Sequence, residues 1–102
     1  MQSVKRIEIF ANYVELPKIL ESLEYSGVQG HTVIKDVAGK SIRGKITDDL
    51  AMTMLDNVYI IAFFPPEQLP VVEVNIKAIL NKFGGTCFVS DAMELETTKC
   101  VG

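Results

Sequence analysis

Apolar and polar residues alternate from Val4 to Ala11, with Ile7, Ile9 and Ala11 on one face and Arg6, Glu8 and Phe10 on the other. That period of two predicts a half-buried strand. From Glu15 the period lengthens. Leu16, Ile19, Leu20 and Leu23 recur at helical spacing, with Lys18, Glu21, Ser22 and Glu24 opposite. An amphipathic helix follows, with Pro17 in its first turn and Gly27 as its stop. A second strand is expected from His31 to about Val37. Asn57–Phe64 is continuously apolar, β-branched and aromatic, the pattern of a central strand covered on both faces. Pro65, Pro66 and Glu67 then open a second helix, along which Val72, Ile76, Ile79, Leu80 and Phe83 repeat until Gly84 and Gly85 close it. Thr86–Asp91 reads as the last strand, and the stretch from Met93 to Gly102 has no strong pattern.

The order is β-α-β-β-α-β in 102 residues. It predicts one α+β domain over residues 1–102, ferredoxin-like, with an antiparallel sheet and both helices on one face. Its open sheet face needs a cover, and for a chain this short only another subunit supplies one. Nearly half the residues are apolar, at 48%, in agreement with that expectation. The longest apolar run, Val58 to Phe64, falls far short of the roughly 20 residues of a membrane span, so no direct membrane insertion is expected. Glu8 interrupts any signal-peptide core after the basic N-terminus, and a cytoplasmic protein is expected. A net charge of −3, without an arginine-rich tract, argues against nucleic acid as the main partner.

The chemistry concentrates between the first helix and the middle of the chain. Gly39 to Leu55 carries glycine and charge with no clear period, and a long loop in a small domain is usually functional. Backbone N–H groups freed by glycine, the Ser41 hydroxyl, and the cations Lys40 and Arg43 together suit a polyphosphate. A P-loop needs an earlier glycine ahead of the Gly39-Lys40 pair, which the preceding residues, Asp36 to Ala38 included, do not supply. His31 is the only histidine and has no matched ligand or base partners in the sequence. Asp48 and Asp49 read as a helix cap ahead of a Mg²⁺ site. Two cysteines, Cys87 and Cys100, make neither a disulfide framework nor a zinc set; Cys87 is expected as a buried thiol and Cys100 as exposed. Phe63, Phe64 and Phe83 read as core or subunit-interface residues rather than base-stacking platforms, and Tyr25 and Tyr59 as structural. Nothing forms a nucleophile–base–orienter set, so no enzyme is expected.

Several of these segments, in order, resemble the PII superfamily of signalling proteins. Val4-Lys5-Arg6-Ile7-Glu8 is similar to the family's first strand, Gly27 through Val33 to its passage between first helix and second strand, and Phe88 through Glu94 to the end of its last strand. The segment at about 39–56 falls where the family carries its long regulatory T-loop. The resemblance implies a homotrimer with adenine nucleotide bound between subunits. By position, Gly30 and Thr32 would sit beside base or ribose. Gly39, Lys40, Ser41 and Arg43 would meet the phosphates, with Gly84, Gly85 and Thr86 on a second phosphate-contacting loop. That loop is shorter than the family's usual form and ends in Thr86 where the family has lysine. Fewer cations favour ADP, AMP or a cyclic nucleotide over ATP. The root around Ala38-Gly39-Lys40-Ser41-Ile42-Arg43 is similar to that of PII-like proteins linked to inorganic carbon. This implies bicarbonate as a second ligand, with Lys35, Lys40 and Arg43 as candidate anion-binding residues. It also implies a regulated partner protein, a bicarbonate transporter or a carboxysome component. The competing expectation is a structural or metal-tolerance trimer like the CutA proteins, against which the long loop after strand two argues.

Overall fold

The computed structural model describes residues 1–35 and 57–97. Strand β1 spans Gln2–Asn12, helix α1 Leu16–Tyr25, β2 His31–Lys35, β3 Asn57–Phe64, helix α2 Leu69–Phe83 and β4 Thr86–Glu94. The strands form one sheet in the order β2-β3-β1-β4, every neighbouring pair antiparallel. This is the expected ferredoxin-like arrangement. β1 and β3 are central, and β2 and β4 are the edges.

Strand register assigns the two faces. Ile7 lies opposite Ala62, Ile9 opposite Ile60 and Ala11 opposite Val58, and these residues are all buried. They form one cluster with Ile19 and Leu23 of α1 and Val72 and Ile76 of α2, so both helices cover the same side. The alternate positions carry Arg6, Glu8 and Phe10 on β1, Tyr59, Ile61 and Phe63 on β3, Thr32 and Ile34 on β2, and Thr86 and Phe88 on β4. Phe63, Phe88 and Ile34 are exposed there. Covering of β3 on both faces is therefore corrected: within the chain only one face is covered. Apolar residues on the second face left the run without alternation, which reads as two-sided burial when the cover lies outside the chain.

Local chemistry sets the ends of the elements. The Asn12 side chain accepts a 2.9 Å hydrogen bond from Val14 N–H and starts a single 3-10 turn, Tyr13–Glu15, ahead of α1. α1 ends as Gly27 takes φ +92°. There Gly27 N–H donates to Glu24 C=O at 3.0 Å and Val28 N–H to Leu23 C=O at 3.0 Å, satisfying carbonyls the helix would leave open. Asn75 of α2 donates to Ser26 Oγ at 2.8 Å, tying the end of α1 to the second helix. The start of α2 is likewise a 3-10 turn, Pro66–Gln68, so the regular helix begins later than the proline pair suggests.

Two further expectations change. β4 runs to Glu94, beyond the predicted Asp91, because Ala92, Met93 and Glu94 continue the register against Val4, Ser3 and Gln2. Cys87 is only half-buried, since β4 is an edge strand that α2 leaves partly open. Tyr25 is 82% exposed and lies outside the core. Phe64 is core as expected, and Phe83 is half-covered by the ammonium groups of Lys18 at 4.6 Å and Lys82 at 5.4 Å from its ring centre.

Candidate functional site

The predicted site residues that lie among the described ones fall into two groups, on opposite edges of the sheet. Gly30 directly precedes β2, and Thr32 lies within it, opposite Ile61 of β3. At the other edge, Gly84, Gly85 and Thr86 link α2 to β4, with Thr86 opposite Phe10 of β1. Thr32 and Thr86 both stand on the open face. Three strand spacings separate the two edges, roughly 14 Å across the sheet. One chain therefore does not bring these two groups to a single small ligand. Gly39, Lys40, Ser41 and Arg43 lie outside the described residues. The segment that contains them joins the end of β2 to the start of β3, and Lys35 lies opposite Val58 there. By register that end of the sheet is also the one at which Thr86 begins β4.

The glycines differ in what they do. Gly85 has φ +127°, and a Cβ built on it would lie 3.0 Å from both Phe10 O and Leu80 Cδ2. Only glycine lets this turn press against β1. Gly84 has φ +92°, with open space where a Cβ would go. Gly30 has no positive φ, and nothing lies within 4 Å of its would-be Cβ. Within the chain neither backbone strain nor steric contact requires glycine there.

Lys35, an anion-binding candidate, holds its ammonium 5.3 Å from the Tyr13 ring centre. The centre of the open face carries a polar cluster that sequence reading did not single out. Tyr59 OH donates to Glu8 Oε1. Arg6 Nε lies 3.0 Å from Glu8 Oε2, an ion pair off the line of a hydrogen bond. The hydrogen bond to Glu8 holds the Tyr59 hydroxyl above its ordinary range, with burial and the carboxylate charge adding to it and Arg6 opposing. The alternation of Arg6 and Glu8 with apolar residues was the available signal. Their pairing with Tyr59 needed the β1–β3 register, which sequence alone does not supply.

On the helix side a groove of about 560 Å³ runs between α2 and β4, floored by Val72, Ile76, Cys87 and Val89. Burial pushes the Cys87 thiol up to about 11. That keeps it protonated and unreactive near neutrality. Among the described residues no cluster of His, Cys, Asp and Glu is placed to hold a metal ion. No described helix is long and apolar enough to cross a membrane.

A βαββαβ domain with two helices on one face of a four-stranded antiparallel sheet, and exposed Ile34, Phe63 and Phe88 on the other, defines the fold class. The chain belongs to the nitrogen regulatory protein P-II family, whose model matches residues 4–99. Among solved structures it is similar to CPII, a nitrogen regulatory PII-like protein from Thiomonas intermedia K12, bound to ADP, AMP and bicarbonate. The TM-score is 0.77 at 22% identity, covering 93% of this chain and 96% of that one. It is also similar to CPII bound to ADP, AMP and acetate, with a TM-score of 0.78 at 21% identity, covering 93% of this chain and 91% of that one. A PII-like signalling protein from Thermus thermophilus gives a TM-score of 0.69 at 16% identity, covering 92% and 91% of the two chains. No curated protein matches this chain by sequence.

Proposed function

We propose that this chain is a PII-like regulator in which three copies pack their open sheet faces together and bind adenine nucleotide between neighbours. The Gly84–Gly85–Thr86 edge of one copy faces the Gly30–Thr32 edge of the next. Gly39, Lys40, Ser41 and Arg43 meet the phosphates from the root of the loop at about 39–56. The reading is supported by one observation: the two groups of candidate residues lie at opposite edges of the sheet. The ligands bound to CPII (ADP, AMP and bicarbonate) support ADP or AMP ahead of ATP, with bicarbonate as a second ligand. The anion is assigned to Lys40 and Arg43, with Lys35 beside them. Nucleotide orders the loop, which then presents or withholds a surface for a partner protein, a bicarbonate transporter or a carboxysome component. The chain acts by switching between loop states and not by catalysis. The switch is limited by the ligand's difference in affinity for those states.

A mixing experiment tests the shared site. Gly30→Arg blocks one edge and Thr86→Arg the other, so calorimetry with ADP and AMP, with and without bicarbonate, is expected to show binding to neither variant alone. Co-expressed in equal amounts, they restore about a quarter of the sites, those in which two intact edges meet at one interface of the ring. Recovery with loss of binding in Arg43→Ala supports the reading. Absence of binding to the unaltered protein, or no recovery on mixing, refutes it.

A further inference from the structure

The middle of the open face carries one cation and one anion, two residues apart on the central strand β1. The registers set Arg6 between Phe63 and Ser90, and Glu8 between Ile61 and Phe88. Phe63 and Phe88 are exposed, so the two charges stand within an apolar surround. Glu8 is already withdrawn from water, its side chain only 23% exposed. A carboxylate in that setting needs donors. Tyr59 OH supplies one at Oε1. Arg6 brings its charge to 3.0 Å from Oε2, yet its Nε is out of contact with water and makes no hydrogen bond. The Arg6 side chain as a whole stays 42% exposed. Within one chain the pair is neutral but not fully satisfied.

An ion pair that stays in water contributes little and needs no tyrosine to hold it. Under a cover it matters more, because a covered charge left without its partner is strongly destabilising. The charge pattern itself indicates the cover. A face with a cation and an anion side by side complements a second copy of itself, whereas a partner of one charge sign would match only half of it. In a cyclic assembly the copies meet head to tail, so the cation of one can meet the anion of the next all the way round. The proposed assembly sets edge strand against edge strand, which leaves the central strand β1 nearest the axis. Packed sheets stand about 10 Å apart, a gap that an arginine and a glutamate span together. We infer that Arg6 of each copy pairs with Glu8 of the next, closing a ring of ion pairs at the centre of the interface, with Tyr59 as the positioning residue that fixes the carboxylate. This deepens the proposed function and rests on its assembly. Apolar contact drives the faces together but tolerates slippage, and the ring sets which copies fit and in what register.

The test keeps the pair inside each chain and breaks it only between chains. The double variant Arg6→Glu, Glu8→Arg retains one cation and one anion at the same two positions, so it is expected to fold and to assemble by itself to the size of the unaltered protein. Against the unaltered chain it sets cation against cation at one contact and anion against anion at the other. The two chains, one of them carrying a mass tag, are co-expressed in equal amounts and their assemblies weighed by native mass spectrometry. Random assembly in threes makes about three quarters of them mixed, a fraction checked with tagged and untagged unaltered chains. The ring is expected to bring the mixed fraction below about a tenth. Mixed assemblies at the random fraction, or a double variant that keeps its far-ultraviolet spectrum but stays a single chain, overturn the ring and leave the proposed assembly intact. Should the exchange of charges disturb folding, the neutral variant Arg6→Met, Glu8→Leu is weighed in its place. It is expected to form assemblies of more than one size, and a single size equal to that of the unaltered protein overturns the ring. Failure of the unaltered chain to assemble overturns both.

Discussion

Replacing three glycines one at a time by alanine separates backbone strain from steric contact, because each presents a different combination. At Gly85 the left-handed φ of +127° strains any L-residue, and the new Cβ would sit 3.0 Å from a main-chain oxygen, Phe10 O, and from Leu80 Cδ2. The strain alone is about 1–2 kcal/mol. The backbone oxygen is held in the β1 ladder and cannot step aside, so the contact adds a further ~1–2 kcal/mol. The expected total for Gly85→Ala is about 2–4 kcal/mol. At Gly84, φ is +92° but the space is open, so only the strain of about 1–2 kcal/mol remains. At Gly30 neither term applies, and Gly30→Ala is expected within about 0.5 kcal/mol of the unaltered chain. In a domain of this size, 1 kcal/mol moves Tm by roughly 4–8 °C. Thermal unfolding followed by circular dichroism, at one fixed protein concentration, therefore orders the variants Gly30→Ala, Gly84→Ala, Gly85→Ala by increasing loss. A Gly85→Ala protein melting within about 3 °C of the unaltered one would show that the turn does not press on β1 and refute the reasoning.

Two further outcomes follow from burial and from the open face. The folded-state pKa of Cys87, about 11, is raised above its ordinary value of 9.0, so its contribution to stability is fully present below about pH 9 and is lost as pH rises through 11. Tyr59, also raised, acts in the same direction, so the check is differential. Melting curves from about pH 8 to 11 should fall less steeply for Cys87→Ala than for the unaltered chain, and parallel curves would contradict the assignment. Phe88, 60% exposed on the open face, is expected to tolerate a charge within one copy but not between copies. Phe88→Glu should therefore keep its far-ultraviolet spectrum while light scattering reports a single chain, and an intact oligomer would argue that the face is not an interface.

The fold was legible in the sequence because each element announced itself by period and punctuation. Ile7, Ile9 and Ala11 alternate, Leu16 through Leu23 recur at helical spacing, and glycines sit where the helices stop, at Gly27 and Gly84. What misled was the side of the sheet that the chain does not cover itself. β3 carries apolar residues on both faces, so its run suggested two-sided burial, and nothing in Val58 to Phe64 distinguishes Phe63, exposed, from Phe64, buried. The end of β4 was hidden for a related reason. Ser90 to Glu94 mixes polar residues with Ala92 and Met93 at an exposed edge, and pairing with Gln2 to Arg6 decides its conformation in place of any pattern of its own.

The candidate site was proposed from residue type, and the fold adds the place of each described residue. Gly30, Thr32, Gly84, Gly85 and Thr86 read as one ligand set in sequence, but only strand order reveals that two edges divide them. That division changes what the cluster means. A set gathered within one chain could bind ligand in any state of assembly. Under the proposed function, a set split between edges about 14 Å apart makes binding depend on a neighbour, and by linkage makes assembly depend on ligand. The same geometry bears on the segment between β2 and β3. Its two flanking residues, Lys35 and Asn57, stand at the end of the sheet where Thr86 begins β4. In the proposed assembly a phosphate group there meets the loop root of one copy and the β4 edge of its neighbour, because strand order keeps those two edges apart within a chain. The ligand that sets the loop is then also the ligand that joins the copies, and the two effects stand or fall together.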